Sequence, residues 1–111
     1  MQAWIELADR PAIYERLLPE IRDAAWRLGY CIAVHGTMRR DFDLVAVPWI
    51  EAAAPAEQLV LAIMEAVGAD PIYLECRQQP TRKPHGRLAW SLHLKLCPHL
   101  YVDLSVMPRT P

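Results

Sequence analysis

Asp41 and Asp43 stand two residues apart at the head of an apolar run, Asp-Phe-Asp-Leu-Val-Ala-Val. Side chains of an extended chain alternate with a period of two, so both carboxylates project to one side, their Cα atoms roughly 6.5–7 Å apart. Like charges that close repel, and such a pair persists where water screens it or a cation neutralises it. Hard divalent ions such as Mg²⁺ favour oxygen ligands of this kind. An equally ordinary reading makes Asp41 the polar first residue of a strand and Asp43 a solvated group on an open sheet face. A third carboxylate, Asp103, interrupts the apolar string Tyr101-Val-Asp-Leu-Ser105, although strand interiors are depleted in aspartate. Before the pair comes Val34-His35-Gly36-Thr37. There a glycine permits close backbone approach, and exposed N–H groups at such a turn form a concavity for anions. Arg39 and Arg40 lie in the short connection between that turn and the carboxylates.

A second chemical stretch is basic. Arg77, Arg82, Lys83, His85 and Arg87 crowd a segment with Pro80, Pro84 and Gly86 and no apolar residue over 77–86, which reads as a shaped loop. Folded toward the carboxylates, it could hold phosphate oxygens or a nucleic-acid backbone, with Arg87 the preferred phosphate ligand. Left alone, it is a solvated charged loop. His93 and His99 have no partner at metal-ligand spacing and read as structural. His35 abuts the glycine turn and suits either a phosphate contact or a structural hydrogen bond. Cys31, flanked by apolar neighbours, reads as core. So do Trp26, Trp49 and Trp90, with the edge of a pocket an even alternative for Trp49.

The elements that must position these groups follow from periodicity and punctuation. Ile13, Leu17, Ile21, Ala25 and Leu28 recur at helical spacing before Gly29, and Pro19 predicts a kink or a split into a turn at about 11–17 and a helix at 19–28. Strands are expected at 30–35, ending at Gly36, and at 41–47, stopped by Pro48. A helix opened by Pro55 carries Leu59, Ile63, Ala66 and Val67 and ends at Gly68. Further strands are expected at 72–76, at 88–96, where apolar and polar residues alternate, and at about 100–107. The order α-β-β-α-β-β-β is that of an α+β fold in which a sheet packs against helices.

Composition bounds the rest. With 111 residues, 53% of them hydrophobic, the chain suits one small domain over 1–111. A formal net charge of −1 excludes binding polyanions through overall charge, so any nucleotide site must be local. The three cysteines show no Cys-x-x-Cys pair, which argues against a zinc knuckle and suits a reducing cytoplasm. No apolar run reaches the roughly 20 residues that span a bilayer, and the start has no secretory pattern. The expectation is a cytoplasmic protein with no membrane contact.

Gly36-Thr37, Asp41-x-Asp43 and the later Asp103 resemble the signature of the DNA polymerase beta-like nucleotidyltransferase superfamily, and within it the minimal nucleotidyltransferases. The strings His35-Gly-Thr37, Arg40-Asp-Phe-Asp-Leu-Val-Ala-Val-Pro-Trp49, Lys83-Pro-His-Gly-Arg87 and Asp103-Leu-Ser-Val-Met-Pro108 are similar to those of a group of small phage and bacterial proteins. The likeness spans residues 20–108. It implies a nucleotidyltransferase-like mixed β-sheet with helices packed on one face. It also implies Gly36 and Thr37 as triphosphate contacts, with Arg39, Arg40, Lys83 and Arg87 as cationic support. Asp41, Asp43 and Asp103 become the catalytic, metal-binding carboxylates for Mg²⁺ or Mn²⁺. Two cations there would offset triphosphate charge and orient an in-line attack at the α-phosphorus. Two departures stand out: the connection Met38-Arg39-Arg40 is short, and no helical domain is read after Asp103 to grip a base or acceptor, for which a partner protein, a homodimer or loss of activity would each account.

Three functions are therefore in play. The first is a nucleotidyltransferase that binds a nucleoside triphosphate and transfers a nucleotidyl group to a hydroxyl acceptor on a nucleic acid or protein. The second is a non-catalytic module of the same fold that docks nucleotide, nucleic acid or protein. The third is a metal-dependent phosphoesterase or nuclease, since clustered aspartates also serve hydrolysis.

Overall fold

The computed structural model describes residues 9–69, 80–94 and 100–109. The strand expected at 72–76, the end of the one expected at 88–96, and Arg77, Cys76, Cys97 and His99 lie outside them.

The first helix, α1 (Arg10–Arg27), runs unbroken through Pro19, so the expected split into a turn and a separate helix does not occur. Tyr14, Leu18, Ile21 and Ala25 form its buried face, while Pro19 and Glu15, whose carbonyl the proline ring crowds, both face solvent. Packing of Leu18 and Ile21 holds the turn together, and the carbonyl that loses its partner is left within reach of water. After α1 the chain reverses at Gly29, whose φ of +90° suits glycine and whose Cα lies so close to the backbone of Ala53 that an added Cβ would meet it at 2.9 Å.

Strand β1 (Tyr30–His35) pairs antiparallel with β2 (Phe42–Pro48). Pro48 is the last residue of β2, opposite Tyr30, rather than the residue that stops it. A proline is tolerated at a strand end because the ladder needs no further donor from it. Asp41 falls just before the strand instead of opening it. Helix α2 (Ala56–Val67) starts after Pro55 and closes on a left-handed Gly68, as its sequence predicts.

The basic loop does more than the sequence suggests. Thr81–Arg82 forms a short strand, β3, against β4 (Leu88–His93), and a single turn of 3₁₀ helix, Pro84–Gly86, closes the hairpin. The Lys83 N–H donates to the Arg87 carbonyl at 2.9 Å, and Pro108 packs against the Cα of Gly86. The last strand, β5 (Tyr101–Val106), lies between β4, antiparallel, and β2, parallel.

The result is an α+β architecture: a mixed, open, five-stranded sheet in the order β1-β2-β5-β4-β3. Tyr14, Leu18 and Ile21 of α1 and Leu59, Ile63 and Met64 of α2 join Phe42, Leu44, Trp90, Leu92, Val102 and Leu104 of the sheet in one buried cluster. Strand alternation then sends Cys31, His35, Asp43, Asp103, Ser105, Ser91 and His93 to the opposite face, where they are exposed or half-buried. Among the described residues no helix is long and apolar enough to cross a membrane.

Candidate functional site

Phe42, Leu44, Val102 and Leu104 are all buried, so the residues between them, Asp43 and Asp103, must point away from the core. The parallel β2–β5 register sets these two directly opposite each other, with Phe42 opposite Val102 and Leu44 opposite Leu104 on either side. His35 faces Asp43 across the β1–β2 ladder, and Ser91 faces Asp103 across the β4–β5 ladder. A row His35-Asp43-Asp103-Ser91 therefore crosses the open face of the sheet.

Electrostatics set Asp43 apart. Partial burial pushes its carboxyl above the usual carboxylate range, and the charges of Asp103 and Asp41 push the same way. A hydrogen bond with Asp103 further favours the protonated form, while His35 opposes it. Asp43 and Asp103 thus hold their like charges close together, where a cation would relieve the repulsion. Asp41 is exposed and acts on Asp43 through its charge alone. Among the described residues no three His, Cys, Asp or Glu side chains converge closely enough to hold a metal ion. The expected carboxylate triad is resolved into a contacting pair and an outlying third.

A cavity of about 260 Å³ opens over this pair, and Asp43, Asp103, His35, Ser105, Lys83 and Arg87 line it. The β3–β4 hairpin is what carries Lys83 and Arg87 there: β4 is the neighbour of β5, and the turn anchored on Pro108 folds back toward the C-terminal end of that strand. Among the described residues neither cation forms an ion pair. A larger groove of about 690 Å³ lies between α1 and α2, lined by Ala24, Leu61, Ala62 and Glu65 among others. It is on the helical layer, away from the paired carboxylates.

The glycine turn follows His35 and leads into β2 at the end that carries Asp43. Gly36 has φ of +93° and Met38 has φ of +59°, and the Arg39 N–H donates to Thr37 Oγ1 at 3.4 Å. The turn is tied to α1 through the carbonyl of Arg40, which accepts from the Tyr14 hydroxyl at 2.9 Å and from the Arg10 guanidinium at 3.3 Å. Tyr14 in turn stacks on Phe42, centroids 4.6 Å apart. Gly36, Thr37, Arg39 and Arg40 are exposed and are not among the residues lining the cavity over Asp43 and Asp103. The Thr37 hydroxyl and the Arg40 main chain serve the turn itself.

No family model, curated protein or solved structure matches this chain.

Three side chains sit elsewhere than the sequence suggests. Cys31 is exposed on the open face of β1, because it alternates with the buried Tyr30 and Ile32. Of the three tryptophans assigned to the core only Trp90 is there. Trp26 and Trp49 are 55% and 48% exposed and stack on each other at 4.3 Å. Trp26 lies on α1 outside the stripe Ile21-Ala25, and Trp49 follows the end of β2, so neither periodicity buries it. His93 lies tilted against Tyr101 on the open face, centroids 5.2 Å apart. The alternation of 88–93 sets His93 on the polar side of its strand.

Proposed function

We propose that the open sheet face binds a nucleoside triphosphate together with a divalent cation, and that the chain is a metal-dependent nucleotidyltransferase-like protein. What supports this reading is one observation: two facing carboxylates and two cationic side chains, without an ion pair among the described residues, line a single cavity. The donor set suits Mg²⁺ or Mn²⁺, since Asp43 and Asp103 offer only oxygen and face each other across the ladder. Asp43 and Asp103 would hold the cation, with Asp41 closing the site from the strand's edge. The bound ion would offset triphosphate charge and polarise the phosphoryl oxygens.

Lys83 and Arg87 then bind phosphate oxygens, and Gly36, Thr37, Arg39 and Arg40 guide the polyphosphate from the opposite side. Asp103 takes the proton of an acceptor hydroxyl as its oxygen bonds to the α-phosphorus. The bond from that phosphorus to the bridging oxygen breaks, and pyrophosphate leaves. The acceptor, a nucleic acid or a protein, would be gripped with help from a partner or a second copy, in the cytoplasm.

A second reading, a non-catalytic nucleotide-binding module, is favoured by the absence of Gly36, Thr37, Arg39 and Arg40 from the lining of the cavity. Calorimetry and thermal shift with Mg²⁺ or Mn²⁺ and each nucleoside triphosphate separate the two. The transferase reading expects metal-dependent stabilisation that Asp43→Ala abolishes, with pyrophosphate released and label passed to an acceptor. Nucleotide stabilisation that survives Asp43→Ala supports the module. Release of inorganic phosphate or cutting of nucleic acid marks a hydrolase, and no stabilisation by any nucleotide overturns the proposal.

A further inference from the structure

Two strand residues before Asp103, on the same face of β5, stands Tyr101, 38% exposed. The antiparallel register sets His93 of β4 directly opposite it, two residues beyond Ser91, and the two rings lie 5.2 Å apart at 35°. The open face is thus graded along β5: an aromatic pair at Tyr101, the carboxylate pair at Asp103, and Ser105 beside Lys83 and Arg87 beyond. Each step is two residues, roughly 6.5–7 Å. An aromatic surface followed by cation ligands and phosphate-binding cations matches the order of groups along a nucleotide. A partly exposed tyrosine ring tilted against a second ring offers an aromatic surface on which a base can stack.

We infer that the Tyr101–His93 pair is a stacking platform for a nucleobase, continuous with the phosphate and cation site over Asp43 and Asp103. The inference rests on the nucleotide reading above and adds what that reading does not assign, the group that holds the base. The same platform serves the base of a bound nucleoside triphosphate or a base of a nucleic-acid acceptor. The two sources share their chemistry and differ in which ligand depends on Tyr101.

The test is calorimetry on the full chain with Mg²⁺ and, in turn, a nucleoside triphosphate, inorganic tripolyphosphate and a short single-stranded oligonucleotide. Tyr101→Val keeps a strand-forming residue and removes the ring, whereas Tyr101→Phe keeps the ring. The valine variant is expected to lose about tenfold or more in affinity for the nucleoside triphosphate, or for the oligonucleotide if the acceptor's base is the one held. Its affinity for tripolyphosphate should not change, and the phenylalanine variant should bind as the parent does. Equal loss for tripolyphosphate and nucleotide, or no loss for either base-bearing ligand, overturns the platform. If Tyr101→Val does not fold, the parent decides: a nucleoside triphosphate that binds no tighter than tripolyphosphate overturns the platform while leaving the phosphate and cation site intact. A parent that binds none of the three overturns both.

Discussion

Asp43 and Asp103 face each other across the parallel ladder between β2 and β5, although 59 residues separate them in the chain. That ladder is the only parallel one among the described strands. It holds two carboxylates in contact on a face that the helices leave open.

The pH dependence of the metal-free protein follows from Asp43. Its carboxyl is raised by burial and by the charge of Asp103, so the folded state holds its proton more tightly than the unfolded chain does. The stabilisation is complete below the ordinary aspartate value of about 3.9 and is lost as pH rises through the raised value. Urea unfolding in chelator should show stability from this group falling with increasing pH just above that range. Asp43→Asn should flatten that part of the profile and leave the metal-free protein more stable at neutral pH. Mg²⁺ should restore stability to the parent and not to the variant.

Lys83 and Arg87 should matter to ligand and not to fold. Neither forms an ion pair among the described residues, and Lys83 is exposed. Arg87→Ala should weaken nucleoside triphosphate binding about tenfold or more, in line with roughly 1.5–3 kcal/mol for a hydrogen bond to a charged group. Its melting temperature without ligand should stay close to the parent's. Binding by the parent should also weaken with added salt.

Aromatic residues divide sharply by layer. Phe42 is buried and stacked on Tyr14, so Phe42→Ala should cost about 3–5 kcal/mol. Trp26 is largely exposed and loses chiefly its stack on Trp49, so Trp26→Ala should cost no more than about 0.5–1.5 kcal/mol. Chemical denaturation of the two variants checks the contrast.

Two glycines should respond differently to the same change. At Gly29 an alanine Cβ would meet the backbone of Ala53 at 2.9 Å as well as a φ of +90°. At Gly36 the φ is +93° but nothing lies within 4 Å. Gly36→Ala should cost about 1–2 kcal/mol, the expense of the left-handed region alone. Gly29→Ala should cost clearly more, because the strands must also part from the 50–54 segment. Paired unfolding curves measure the difference.

Local sequence determined what depends on neighbours along the chain. Alternation placed β1 and β4, turn residues bounded β2, and the two-residue spacing set Asp41 and Asp43 on one side of the chain. Pro55 and Gly68 bracketed α2, and Pro84 with Gly86 announced a shaped turn. Tertiary contact decided the rest. Pro19 weakens a helix locally, yet packing of Leu18 and Ile21 under α1 outweighs it. Flanking apolar residues made Cys31 look like core, but a sheet covered on one side buries only alternate positions. Nothing in the order of strands along the chain says that β5 inserts between β2 and β4. That insertion brings Asp103 against Asp43, folds Lys83 and Arg87 over them and sets Tyr101 beside His93, because strand neighbours are chosen by the burial of whole faces and not by proximity in sequence.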